Sequence, residues 1–201
     1  METEEIREKK EPKRLPVWAC ILLFALGLFV CMGLYGTIGF GLLSLILGDE
    51  ARHPGLLVYT VTEASMLLSV LTPAVILLYF ERRPFSDLGL TLKGHVRGLW
   101  YGLLVAMLLY LIGFGLSLAI GEVEVTGFQF DPLNLLGTFV FCLLVALTEE
   151  IMMRGYILGR LLHTRMNKFL ALFVSALLFA LLHIFNPNVA FLPMLNLVIA
   201  G

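Results

Sequence analysis

Charge is the scarcest commodity in this sequence. Only 14% of its 201 residues are Asp, Glu, Lys or Arg, against roughly a quarter in an ordinary soluble domain. That shortage excludes a soluble globular protein, which needs more polar surface to stay in water. Fourteen Lys and Arg set against fifteen Asp and Glu leave a net charge of −1, so no basic surface is at hand and no nucleic-acid partner is expected. Cysteine is scarce as well. Cys20, Cys31 and Cys142 all lie in apolar runs, none at metal-ligand spacing, so no disulfide framework is expected and the three read as small packing residues. Of four histidines, His53, His95 and His163 fall in loops or at helix ends, and only His183 lies within an apolar helix.

What is abundant is apolar. Hydrophobic residues make up 59% of the chain and the mean hydropathy is +0.93, which points to an integral membrane protein surrounded by lipid. The first residues, METEEIREKKEPKRLP, are polar and charged. The apolar run from Val17 to Gly48 that follows is far longer than the roughly 7–15 residues of a signal-peptide core, so it reads as a retained first membrane helix. A spanning helix takes about 20 mainly apolar residues. Five runs qualify: Val17 to about Leu42, Leu56–Phe80, Leu99–Ile120, Leu133 to about Leu162, and Phe169–Phe185. A sixth, Val189–Gly201, is partial. The expected fold is an all-α polytopic bundle of five complete helices and part of a sixth, with residues 1–15 as a cytoplasmic tail and 16–201 as one transmembrane domain. Gly33, Gly36, Gly39 and Gly41 in the first run suit close helix contact, with a bent extension at the outer surface as the other option.

Lysine and arginine set the orientation. The N-terminal tail carries Arg7, Lys9, Lys10, Lys13 and Arg14; the 49–55 loop only Arg52; the loop after the second run Arg82, Arg83, Lys93 and Arg97; the 121–132 loop none; and the end of the fourth run with its turn Arg154, Arg160, Arg165 and Lys168. This alternation points to a cytoplasmic N-terminus. Asp131 and Pro132 make a good helix start for the fourth run, as cap and first helical residue.

Ionisable groups within membrane segments are functional-site hypotheses by default, because burying them unpaired costs several kcal/mol. Five stand out: Glu63 in the second run; Glu149, Glu150 and Arg154 in the fourth; His183 in the fifth. Glu150 and Arg154, four apart, share a helix face and pair. Glu149 points about 100° away and is left for chemistry. Counting from a turn centred near Met166, Glu149 and His183 are equally far along antiparallel helices, so they reach the same depth. Phe179, four residues before His183, shares its face and walls the pocket or supports the ring. A carboxylate beside an imidazole in a partly dry site can activate water, the carboxylate as base and the histidine positioning the water or stabilising an oxyanion. Zinc is the alternative, with Glu149, Glu150 and His183 as candidate ligands, although catalytic zinc generally takes three protein ligands and only one histidine is in place.

These residues carry a resemblance. EEIMMR, Glu149–Arg154, is similar to the EExxxR motif of the CPBP family of CAAX-processing and bacteriocin-processing or immunity proteins, and FALLH, Phe179–His183, to its FxxxH motif. ERRPFSDLGL, Glu81–Leu90, resembles a stretch that often precedes the core in bacterial members, which implies a bacterial plasma membrane as the setting. The strong likeness covers residues 133–201. It implies an intramembrane endopeptidase in which Glu149 activates water, His183 is the first essential histidine, and Glu150 and Arg154 support them, acting on a peptide or protein substrate that in some members has a lipidated C-terminus. The family is described both as metalloproteases and as having a metal-free glutamate mechanism, so the cofactor stays open. The family's third motif, a histidine followed four residues later by Asn or Asp, is not found here, and the chain is expected to be C-terminally incomplete. The alternatives are a non-catalytic immunity or scaffold protein of the same fold, and a proton-coupled transporter using Glu63, Glu149 and Glu150.

Overall fold

The computed structural model describes residues 15–91, 93–184, 186 and 190–200; the N-terminal tail, apart from Leu15, and Gly201 lie outside them. Among the described residues the chain is all helix, without strands: α1 (Val17–Leu47), α2 (Leu56–Phe80), α3 (Val96–Ala119), α4 (Pro132–Leu162), α5 (Lys168–Leu182) and α6 (Phe191–Ala200), with short 3-10 turns at Gly48–Arg52 and Phe85–Leu88. The first four are long and apolar enough to cross a membrane. This is a helical membrane bundle.

Three expected helices shift their bounds. α3 runs Val96–Ala119 rather than Leu99–Ile120. α1 runs unbroken to Leu47 rather than ending near Leu42, since nothing in its glycine-rich half interrupts the backbone hydrogen bonding. α5 has only 15 residues, about 22 Å of helix, shorter than a full crossing; the expected stretch to Phe185 runs past the described helix. Phe185 and Val189, ends of the expected fifth and sixth segments, lie outside the described residues.

α1 and α2 form an antiparallel pair made possible by small residues. A Cβ on Gly27 would meet Pro73 Cβ at 2.8 Å and one on Gly39 would meet Ser65 Oγ at 2.4 Å, whereas Gly33, Gly36 and Gly41 face open space. The expected close packing thus falls to Gly39 of the four, and to Gly27. Tyr35 and Thr72 hydroxyls share a hydrogen bond of 3.0 Å across the same seam. α2 runs parallel to α4, with Leu56 against Gly137 and Tyr59 beside Phe141. α3 has no buried residue. α4 starts as its sequence dictates: the Asp131 carboxylate accepts from the Leu133 and Asn134 amides at 3.0 and 3.1 Å, with Pro132 as the first helical residue.

The departure that matters most is inside α4. From Ile151 to Leu158 the helix widens into π-helical turns. Such turns are rare and less favourable than α-helix, and they persist where surrounding structure holds them. Here the core is built around them. Ile151, Met152, Met153, Tyr156 and Ile157 are buried with Phe24 of α1, Val70, Ala74 and Leu78 of α2, Leu88 and Ala171. Tyr156 stacks on Phe24 with ring centroids 4.3 Å apart, and the buried Ser175 hydroxyl of α5 donates to the Met153 carbonyl at 3.5 Å.

Candidate active site

Glu149 and Glu150 are the last α-helical residues of α4 before the wide turns. They face different ways. Glu149 points toward α5, and its Oε1 lies 3.7 Å from Nε2 of His183. His183 is the residue immediately after the last turn of α5 rather than within it, its amide donating to the Ala180 carbonyl at 3.0 Å. The ring is fixed by its own helix end. Nδ1 sits 2.8 Å from the Phe179 carbonyl, and a carbonyl only accepts, so Nδ1 carries a proton and Nε2 is the nitrogen free to meet Glu149. The Phe179 ring packs against the imidazole, centroids 4.6 Å apart and tilted by 58°. The Glu149 and His183 side chains are 36% and 23% exposed, so the pair is sheltered yet reachable.

A separation of 3.7 Å is too long for a direct hydrogen bond and short enough for one water to reach both groups at about 2.8 Å. With Nδ1–H committed to Phe179, neutral His183 offers Nε2 as an acceptor, and protonated His183 offers an N–H.

Glu150 pairs with Arg154 one turn on. The pair is 54% and 41% exposed, so it is not buried as a charged pair within a membrane helix would suggest; the outward face of α4 carries it. It lines a cleft of about 300 Å³ whose far wall is the segment from Asp87 to Leu90. Glu63 is half-buried on the α2 face that follows Leu56 and Tyr59. The contacts of those two residues put it level with Val145, about 6 Å along the helix from Glu149.

A second polar cluster escaped the sequence reading. Arg160 is 5% exposed and forms an ion pair with Glu81, the residue that follows α2. The Cys20 thiol donates to the other oxygen of Glu81 at 2.8 Å, so Cys20 is a hydrogen-bond donor as well as the small packing residue its apolar surroundings suggest. The Arg160 guanidinium lies over the Tyr156 ring, 5.0 Å from its centroid. The four-residue spacing of Tyr156 and Arg160 was a readable sign of a shared face; their partners on α1 and beyond α2 carry no local signal.

Zinc fits the described residues poorly. Among them no group of three or more His, Cys, Asp or Glu side chains is placed to hold a metal. Glu149 and His183 would supply two ligands, while Glu150 is engaged by Arg154, and catalytic zinc generally takes three.

No curated protein and no solved structure matches the chain. Residues 131–201, which hold α4, α5 and both motifs, match the family model described as type II CAAX prenyl endopeptidase Rce1-like, and so this part of the chain is similar to the CAAX-processing intramembrane proteases that its two motifs resemble.

Proposed function

We propose that the protein is an intramembrane endopeptidase of the CAAX-processing type, cleaving a membrane-associated peptide, with a lipidated C-terminal segment as the substrate class. The observation that carries this reading is the Glu149–His183 pair: two groups 3.7 Å apart, on different helices, with the imidazole tautomer set by the Phe179 carbonyl. Glu149 takes a proton from the water between them as its oxygen attacks the scissile carbonyl. His183 Nε2 holds that water in line. The proton passes from Glu149 to the amide nitrogen as the C–N bond breaks, leaving a carboxylate on one product and an amine on the other. Phe179 positions His183 through its carbonyl and its ring. Glu150 and Arg154 support the site from the adjoining face of α4. No step runs through a metal. The alternating cations of the loops support a cytoplasmic N-terminus, with the 81–98 and 163–168 segments on the same side.

The test is cleavage of a farnesylated CAAX-type peptide by purified protein in detergent or liposomes. A general base contributes about 10²–10⁴-fold, so Glu149→Gln should lose at least a hundredfold in kcat while keeping its elution profile and helix content. Cleavage by Glu149→Gln at the wild-type rate would remove the proposed base. A folded wild-type protein that cleaves nothing would favour a non-catalytic scaffold of the same fold.

A further inference from the structure

The geometry points to a positioning role for the segment Glu81–Leu90: it is a strap that docks on Gly155 and holds the π-helical turns of α4 in place, and thereby sets where α4 presents Glu149 to His183. The inference rests on the proposed endopeptidase reading only for its effect on catalysis; the placement of the two side chains is a separate observable.

Three fastenings hold the strap. At its start, Glu81 pairs with Arg160, below the π-helical stretch, with both side chains largely buried. Near its end, the Leu88 backbone lies directly against Gly155: a Cβ built there would stand 2.7 Å from the Leu88 carbonyl oxygen and 3.3 Å from its Cα. Real side chains do not tolerate 2.7 Å to a backbone oxygen, so only glycine admits the strap at this distance. The Leu88 side chain, 3% exposed, joins the core that surrounds Ile151, Met152 and Tyr156. Between these points the strap is stiffened internally by Arg83 and Asp87, Nε to Oδ2 at 2.7 Å. It leaves through Gly89, whose φ of 76° suits glycine.

The position of these contacts along α4 is what gives them consequence. Gly155 is the centre of the stretch Ile151–Leu158. A π-helical turn carries about one residue more than an α turn, which displaces the side chains before it from those after it by about 100°. Glu149 and Glu150 lie just before the wide turns, and Arg160, anchored by the strap, lies just after them. Relaxation of the stretch to ordinary α-helix would therefore rotate Glu149 away from α5 while the lower end of α4 stayed put. The strap opposes this by filling the face on which the helix is widened. It also forms the wall of the cleft beside Glu150 and Arg154.

Chemical cross-linking reads the placement without any need for activity. In full-length protein with Cys31 and Cys142 replaced by serine, Glu149→Cys and His183→Cys are joined by a short bifunctional thiosulfonate, and the linked fraction is measured by mass spectrometry. Adding Gly155→Leu should lower the linked fraction at least fivefold in protein that still elutes as a folded species. Adding Gly33→Leu, which enters open space, should leave it unchanged. If Gly155→Leu does not fold, Gly155→Ala provides the milder displacement, with about a twofold drop. Equal linking in the folded Gly155 variants and in the parent would overturn the strap's role. In the cysteine-unmodified enzyme, Gly155→Ala should lower kcat for the farnesylated peptide at least tenfold and leave KM within about twofold. An unchanged kcat would equally overturn the inference. If the parent enzyme cleaves no peptide, the endopeptidase reading fails, and the cross-linking result still decides the strap.

Discussion

Glu81 and Arg160 are the charges whose removal should cost most. Their side chains are 12% and 6% exposed, Cys20 donates to the same carboxylate, and the guanidinium lies over Tyr156. One Arg160 nitrogen, Nη2, is buried with no hydrogen-bond partner among the described residues, so the guanidinium depends on Glu81 for most of its compensation. Removing one member of such a pair leaves the other as an uncompensated buried charge, at about 3–5 kcal/mol; replacing both with apolar groups of similar volume is often neutral or better. We therefore expect Glu81→Leu and Arg160→Met each to lower stability by about 3–5 kcal/mol, and the double variant to recover most of that loss. For a chain of this length each kcal/mol shifts the midpoint by about 2–4 °C, so the single variants should unfold roughly 6–20 °C earlier. Cys20 serves as the reporter. It is 3% exposed, and with Cys31 and Cys142 replaced by serine a maleimide dye reacts only as the bundle opens. Arg154→Ala is the contrast: its side chain is 41% exposed, and the loss should be nearer 1 kcal/mol. A double variant whose loss is the sum of the two singles would refute the argument, as would equal losses from Arg154→Ala and Arg160→Met.

Three further outcomes follow from particular contacts. His183→Ala should reduce peptide cleavage at least tenfold, and Phe179→Ala should reduce it less, because the carbonyl that fixes Nδ1 belongs to the backbone and survives the substitution; a steady-state assay ranks the two. Gly39→Val should destabilise the α1–α2 pair, where even a Cβ would stand 2.4 Å from Ser65 Oγ, whereas Gly33→Ala, in open space, should be neutral or stabilising by up to about 1 kcal/mol, as read by thermal unfolding. Cysteines placed at Lys93 or Arg165 should resist a membrane-impermeant maleimide added outside intact cells, and ready labelling there would reverse the orientation proposed from the cation pattern.

The parts of this molecule that could be read from sequence are those with a local cause. Apolar run length marks the helices, and an aspartate before a proline marks the start of α4 because both effects act within a few residues. The proximity of Glu149 and His183 followed from counting outward from a tight turn, which works when two helices are consecutive. The strap was visible only as a resemblance. Its docking needs Leu88 and Gly155, 67 positions apart, and nothing local in either predicts the other. The π-helical turns were invisible for the same reason. Gly155 lowers the α propensity of IMMRGYIL but does not mark a widened turn, and the residues packed on the stretch, Leu88, Ser175 and Phe24, arrive from three other segments. The hydrogen bond of Cys20 was missed because its surroundings in sequence are apolar while its neighbour in space is a carboxylate.

The same long-range packing answers why charges sit in so apolar a helix. α4 has 31 residues, about 46 Å at α-helical rise, against a hydrocarbon core of about 30 Å. Some 16 Å, or about eleven residues, must lie beyond that core or be accommodated by tilt. The charged residues Glu149, Glu150, Arg154 and Arg160 all fall in the last fourteen of the 31, and each has a nearby partner of opposite or complementary character: His183, Arg154, Glu150 and Glu81. The three pairs differ in what surrounds them. Arg160 and Glu81 are closed off by the core and by Cys20, which suits an anchor. Glu150 and Arg154 stand on an open cleft. Only Glu149 and His183 combine shelter with a spacing that one water can bridge and a tautomer fixed from behind. Glu149 and His183, 3.7 Å apart on consecutive helices, are the pair on which the proposed water-activating role rests, and the loss of cleavage expected from Glu149→Gln is what separates that role from a third ion pair.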